Sequence, residues 1–284
     1  MFLIEYILAG IQYLLPHHML SSMVRWFMRI RVKFIKNAQI SLISGMTGVD
    51  WKESKLKSAS DFENFNAFFT RELAPGVRPI DPDPSSFVAP ADGTISQCGR
   101  LTNDRILQAK GQHYSLRDLL ANGPAASNFH NGFFHTIYLS PRHYHRVHMP
   151  MTGHLQRMIH VPGRVFSVAR YNVHRVPGLF TRNERVISLF ETSHGPMALI
   201  LVGAMLVSSM ETVWSGVITP PRGKRITTID LIRRNIHLKK GQEMGRFNMG
   251  STVILLLSAG AVSKLANYGT DDDVFMGRKL GRLT

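Results

Sequence analysis

The spacing of apolar residues changes character once along this chain, and that change limits the fold more than any other feature. Up to about residue 73 apolar positions recur at three- and four-residue intervals, the spacing of helices with one buried face. Beyond Val88 they alternate, or run on without a break, as in half-buried and fully buried strands. Between the two lies a stretch with Pro75, Pro79, Pro82, Pro84 and Pro90, with Gly76 and Gly93 among them. Neither a helix interior nor a central strand accepts that punctuation. The reading is α+β: a helical region at 1–73 and a β-rich domain at 74–284. The apolar fraction, 44% of 284 residues, excludes a mostly disordered chain.

Within the second region, Gly93–Gln97 and Phe133–Leu139 read as strands. Val186–Phe190 and Met197–Val202 read as a hairpin around Ser193-His194-Gly195-Pro196. Ser251–Leu257, STVILLL, reads as a buried strand. Ser115–Leu120 opens a short helix, and Asp61–Phe69 reads as another, capped by Asp61 or Ser60. No repeat of fixed period occurs.

The net charge of +15 favours an anionic partner: nucleic acid, an anionic membrane surface or a phosphorylated substrate. Leu20–Lys36 reads as one basic amphipathic helix. Arg25, Arg29, Lys33 and Lys36 line one side, and Leu20, Met23, Val24, Phe27, Ile30 and Phe34 the other. Trp26 is suited to the headgroup level, so the segment is expected to lie on a membrane. The preceding run, MFLIEYILAGIQYLLPHH, lacks the basic start and cleavage site of a secretory signal. Glu5, Gln12 and Pro16 interrupt it before it reaches the ~20 residues of a standard span. No nucleic-acid motif accompanies the charge. The one cysteine, Cys98, forms no internal disulfide and reads as an inert packed thiol in a reducing compartment.

Eight of the 13 histidines lie between His130 and His174, most densely in Pro141-Arg142-His143-Tyr144-His145-Arg146-Val147-His148-Met149-Pro150. Metal ligands, acid–base groups and surface histidines remain open readings, and no Cys cluster or HExxH pattern supports a metal. Asp92, in Ala89-Pro90-Ala91-Asp92-Gly93, sits where a turn aspartate accepts backbone hydrogen bonds, or where a carboxylate orients a histidine. In Met249-Gly250-Ser251-Thr252, a serine follows a glycine whose carbonyl is open to approach, directly before an apolar strand. A serine can attack the carbonyl just before itself, given a base and a pre-aligned turn.

Taken together, these residues resemble the phosphatidylserine decarboxylase proenzymes. The resemblance runs over nearly the whole sequence. It rests on Asn64-Phe65-Asn66-Ala67-Phe68-Phe69-Thr70-Arg71-Glu72-Leu73, on Ala89 to Gly93, on Tyr138-Leu139-Ser140-Pro141 through His148-Met149-Pro150, and on Glu243-Met244-Gly245-Arg246-Phe247 before Gly250-Ser251-Thr252. Two positions depart from the family pattern. Met249 stands where leucine is usual, a change that conserves volume. His143 stands where an acidic residue is common.

The resemblance implies autocatalytic cleavage between Gly250 and Ser251, giving a β chain of residues 1–250 and an α chain of 251–284. Ser251 becomes a covalent pyruvoyl cofactor, which takes the serine amine of phosphatidylserine as a Schiff base. Loss of carbon dioxide then yields phosphatidylethanolamine. It further implies a processing triad of Asp92, His148 and Ser251, with His148 as base and Asp92 holding its tautomer. His145 implies an acid–base role in decarboxylation. No metal is implied. The α and β chains of one precursor stay associated, and a homodimer is left open. The expected place is the cytoplasmic side of the cell membrane, peripherally bound. The rivals are a hydrolase using Asp92, His148 and an intact Ser251, a zinc hydrolase using the histidine cluster, and a non-catalytic protein that binds anionic membranes.

Overall fold

The computed structural model describes residues 10, 12–13, 15–109, 111–205, 209–219, 223–248 and 251–284, with the Arg170 side chain excepted. Gly250, on one side of the expected scissile bond, lies outside the described residues, as does most of the N-terminal apolar run.

Two helices open the described fold, α1 (His17–Phe27) and α2 (Lys33–Thr47). They correct the single helix read over Leu20–Lys36. Helical periodicity continues across residues 28–32, but the backbone does not, because carbonyls at the end of α1 find partners elsewhere. The Phe27 carbonyl accepts from Gln39 Nε2 at 3.0 Å, and the Met28 carbonyl accepts the Asn66 N–H at 3.0 Å. Helix α2 stops at Gly48, whose left-handed φ of 71° is easy for glycine. Farther on, Ser58 and Asp61 form a reciprocal capping box on a short 3-10 turn. The helix α3 (Phe65–Phe69) begins later than read and is capped by Asn64, not by Asp61 or Ser60. Phe62, Phe65, Phe68 and Phe69 pack with Ile40 and Val49 into a small core of their own.

The rest is antiparallel β-structure. A nine-stranded sheet runs, in spatial order, through Thr227–Asp230, Gly153–Val161, Arg185–Thr192, Gly195–Val202, Ser251–Leu257, Phe133–Leu139, Gly93–Arg100 and Asp273–Val274, with His237–Leu238 paired to Gly153–Val161. A four-stranded sheet holds Gly216–Thr219, Ser209–Thr212, Glu243–Asn248 and Arg146–His148. A third joins Ser86–Val88, Lys279–Leu283 and Val262–Leu265.

The large sheet is the middle layer. One face packs through Val253, Leu255 and Ile137 against Val147, Met210, Met244 and Phe247 of the four-stranded sheet. The other face packs through Ile254, Leu256 and Ile200 against Leu116, Leu119, Phe166 and Phe180. Ser251–Leu257 therefore has no polar face, and all seven of its residues are buried, which is why its sequence is continuous rather than alternating. Among the described residues no helix is long and apolar enough to cross a membrane.

Candidate active site

Ser251 opens the buried strand, opposite Leu139 on one side. The two-residue alternation puts it on the face of Val253 and Leu255, toward the four-stranded sheet. Its hydroxyl is buried and, among the described residues, has no hydrogen-bond partner. An unsatisfied buried hydroxyl is costly; Ser251 shares that state with other buried hydroxyls, Thr252 beside it among them, and differs from them in standing directly after Gly250. The strand before it, Glu243–Asn248, is tied down near its end. Asn66 of α3 donates to Asn248 Oδ1 at 2.8 Å, and Asn248 donates to Ser209 Oγ at 2.8 Å.

The histidine segment turns at residues 141–144 and then enters the strand Arg146–His148. His145 is fully buried, and its ring lies 4.0 Å, centroid to centroid, from Phe69. Its Nδ1 faces the His143 carbonyl at 2.8 Å, so this nitrogen carries the proton and donates it. Nε2 is left as a lone pair, buried and without a partner. Burial first, and then the Arg71 charge, push its pKa down to about 3.

His148 is held differently. Its Nδ1 donates to the Gly241 carbonyl at 2.8 Å, and its Nε2 accepts from the Tyr144 hydroxyl at 3.0 Å. Burial lowers its pKa, and the Gly241 carbonyl only partly opposes this. The ring is therefore neutral near pH 7. His143 secures the turn by accepting the Ser140 N–H at 3.0 Å.

Asp92 is 2% exposed and, among the described residues, makes no hydrogen bond or ion pair with His148, although its charge is felt there. Its carboxylate accepts the Met276 N–H at 2.8 Å and a fork from Arg78, with Nε at 3.0 Å from both oxygens and Nη2 at 2.7 Å. Arg78 also binds Glu53 through Nη1 at 2.9 Å and Nη2 at 2.8 Å, and lies over the Phe275 ring. Burial lowers the Arg78 pKa, but the two carboxylates outweigh it and hold the group more firmly protonated than usual. The expected Asp92–His148–Ser251 hydrogen-bonded chain is thus not formed here. The tautomer of His148 is set by a backbone carbonyl, and Asp92 is committed to Arg78. Gly93 lets this turn press on the sheet: a Cβ there would lie 2.5 Å from the Tyr138 carbonyl oxygen.

Sequence reasoning did not assign Arg78, Glu53, Tyr144 or Gly241. Their partners are distant in sequence, and no local spacing marks them. Of the basic residues assigned to a membrane face, Arg29 and Lys33 are exposed and Arg25 is half-buried. Lys36 is corrected: it is 5% exposed, and its ammonium donates to Asn37 Oδ1 and to the Ala59 and Ser60 carbonyls. It braces the helical region rather than facing solvent. Trp26 is 72% exposed, and with Met19, Met23 and Phe27 it forms an apolar stripe on α1. Phe34, Leu42 and Met46 form a second on α2. The Cys98 thiol points to the Tyr268 carbonyl, and burial raises its pKa, as befits an unreactive thiol. Among the described residues no group of three or more His, Cys, Asp or Glu side chains is arranged to hold a metal ion.

Comparison with known proteins places this geometry in a family. A family profile described as phosphatidylserine decarboxylase matches residues 65–282, and one described as PSD matches residues 8–44. The chain is 48% identical over 273 residues to a protein of Pseudomonas fluorescens named phosphatidylserine decarboxylase proenzyme, covering 95% of each chain. It is 50% identical over 274 residues to the protein of that name from Methylococcus capsulatus, covering 96% of this chain and 95% of the relative. With the Gly250-Ser251 pair, the buried His145 and the half-buried His148 read in that light, the chain belongs to the phosphatidylserine decarboxylase family.

Proposed function

We propose that this chain is a precursor that splits itself at Gly250–Ser251 and then decarboxylates phosphatidylserine to phosphatidylethanolamine. The observation that carries the reading is the buried Ser251 hydroxyl, unpartnered among the described residues, directly after Gly250 and at the start of the central strand. In the splitting step Ser251 Oγ attacks the Gly250 carbonyl and gives up its proton, and the Ser251 nitrogen takes a proton as the amide becomes an ester. Loss of the Ser251 Cα proton then expels the Gly250 carboxylate as the new end of the β chain. Water replaces the remaining nitrogen, which departs as ammonia, leaving a ketone. The dry, apolar surroundings of Ser251 suit such a group, which when present supplies an electron sink for a substrate bearing an amine and a carboxylate.

The chain's own residues provide the proton traffic. His148 is the base toward Ser251: its Nδ1–H is pinned on the Gly241 carbonyl, so Nε2 is the basic nitrogen. In the unsplit chain the Tyr144 hydroxyl rests on that nitrogen and must give way or relay the proton. His145 is neutral at rest, with Nε2 a lone pair unpartnered among the described residues; it takes up a proton there once the anionic substrate is beside it and passes that proton to the carbon that has lost carbon dioxide. Asp92 acts through Arg78 and Met276, joining residues on both sides of the scissile bond.

The exposed stripes of α1 and α2, with Arg29 and Lys33 beside them, support peripheral binding to an anionic leaflet on its cytoplasmic side. The helical region 1–73 would then serve the membrane and 74–284 the chemistry. The intact mass of the purified protein tests the reading. Two chains ending and starting at 250/251 are expected, the shorter one refractory to Edman degradation, together with carbon dioxide release from carboxyl-labelled phosphatidylserine. One intact active chain with Ser251 unmodified sinks it in favour of a serine hydrolase.

A further inference from the structure

Among the buried cations of the described residues, Lys36 and Arg185 spend their N–H groups on carbonyl oxygens, whereas Arg71 has neither a counter-ion nor a full set of acceptors. Arg71 follows α3 and is 3% exposed. Among the described residues its single hydrogen bond runs from Nη2 to the Arg142 carbonyl at 3.3 Å, while Nε and Nη1 are buried without partners. It takes part in no ion pair there. Glu53 and Asp92 are within electrostatic reach, but Arg78 occupies both. One face of the guanidinium lies over the Phe68 ring at 5.5 Å. Folding has thus dried a group that stays protonated and left two of its nitrogens unmatched, a costly arrangement that an arriving anion would satisfy. Its place is telling: Phe69, two residues away, lies against His145 with the ring centroids 4.0 Å apart, and the Arg71 charge is felt by that histidine.

We propose that Arg71 receives the phosphodiester of the phospholipid substrate, an inference that rests on the function proposed above. Such a lipid carries two anions, the phosphodiester and the serine carboxylate. The carboxylate loses its charge as neutral carbon dioxide departs, and the electron pair of the breaking C–C bond moves into the electron sink. A cation bound to the carboxylate would favour the ground state over the transition state and slow the step. The phosphodiester keeps its charge throughout, so a cation there anchors the headgroup without resisting the chemistry. Arg71 on the phosphodiester leaves the carboxylate to the apolar side of the site, lined by Phe69 and neutral His145.

The test uses matured enzyme and a ligand that separates the two anions. Phosphatidylethanolamine keeps the phosphodiester and lacks the carboxylate; its methyl phosphotriester lacks the charge at phosphorus. Binding of both in neutral detergent micelles is measured for the wild type, Arg71→Gln and Arg71→Lys. The wild type should bind the diester about 100-fold more tightly than the triester, as expected for a desolvated charge pair. In Arg71→Gln the ratio should fall to near one, and in Arg71→Lys by about tenfold, since lysine keeps the charge and loses the fork. If Arg71→Gln does not mature, Arg71→Lys carries the test. An unchanged ratio in the variant tested, a wild-type ratio near one, or no measurable binding of phosphatidylethanolamine overturns the proposal. So does a variant that binds phosphatidylserine poorly and phosphatidylethanolamine normally, because the carboxylate is then the partner. Carbon dioxide release by the wild type reports on the function separately.

Discussion

Replacing Arg78 by methionine removes the cation between Asp92 and Glu53 while keeping most of the apolar volume. Only 9% of the Arg78 side chain and 3% of that of Asp92 are exposed, whereas Glu53 is 33% exposed. The loss is therefore dominated by the Asp92 carboxylate, left buried with the Met276 N–H as its remaining donor. Breaking a buried pair in this way costs about 3–5 kcal/mol, and the half-screened Glu53 contact adds at most about 1 kcal/mol. For 284 residues, an unfolding entropy of ~2.1 cal/mol/K per residue gives a slope of ~0.6 kcal/mol per degree. A loss of about 3–6 kcal/mol then lowers Tm by about 5–10 °C. Calorimetry on a Ser251→Ala background keeps every sample a single unsplit chain. Adding Asp92→Asn to Arg78→Met should recover part of the loss, because the stranded charge is gone. A Tm drop below about 1 °C for Arg78→Met, or no recovery in the double variant, would refute the clamp and return Asp92 to the role of histidine partner.

Ser251→Ala should leave the chain unsplit by mass spectrometry, and normal splitting would remove Ser251 from the chemistry. His148→Ala should block splitting, whereas His145→Ala should split and then decarboxylate poorly; equal splitting defects would merge the two roles. His135 is 1% exposed with neither ring nitrogen bonded among the described residues, and burial pushes its pKa down from 6.5 to about 4. The unfolded chain takes up that proton first, so stability is lost as pH falls from about 6.5 toward 4, by roughly 2 kcal/mol at pH 4.5. On the Ser251→Ala background, His135→Leu should flatten the melting temperature over that interval, and an unaltered acid slope would exclude His135 as its source. Charge reversal at Arg29 and Lys33 should weaken binding to anionic vesicles by about 30-fold or more, at about 1 kcal/mol per basic residue lost, and equal partitioning would make α1 and α2 purely structural.

The sequence spoke most clearly where one physical requirement ruled each residue. The seven residues of Ser251–Leu257 are apolar or small because both faces are covered, and the strand was legible at both ends. The hairpin around Ser193–Pro196 was equally plain, since its turn and alternation agree. The break between α1 and α2 was not legible: no glycine or proline marks it, and its cause is a pair of hydrogen bonds from Gln39 and Asn66 to carbonyls at the end of α1. The candidate residues Ser251, Asp92, His145 and His148 could be named from the sequence because motif and chemistry coincide there. The partner of Asp92 could not, because Arg78 meets it only after the chain has folded around Phe275 and Met276. For the same reason a hydrogen-bonded triad was expected where a backbone carbonyl and a tyrosine stand instead.

The strand that begins at Ser251 is hydrogen-bonded along both edges, to Phe133–Leu139 and to Gly195–Val202. Under the proposed scission that strand passes to a separate polypeptide beginning at Ser251, yet it stays the middle slat of the nine-stranded sheet. The cut peptide bond is not there to be remade. If the mature protein unfolds, its small chain diffuses away, and a first-order refolding becomes an encounter between two dilute, apolar fragments. The lifetime of the mature protein is then set by how slowly it opens, not by how favourable its folded state is. The precursor can find its fold repeatedly, whereas its product has only the one it was cut in.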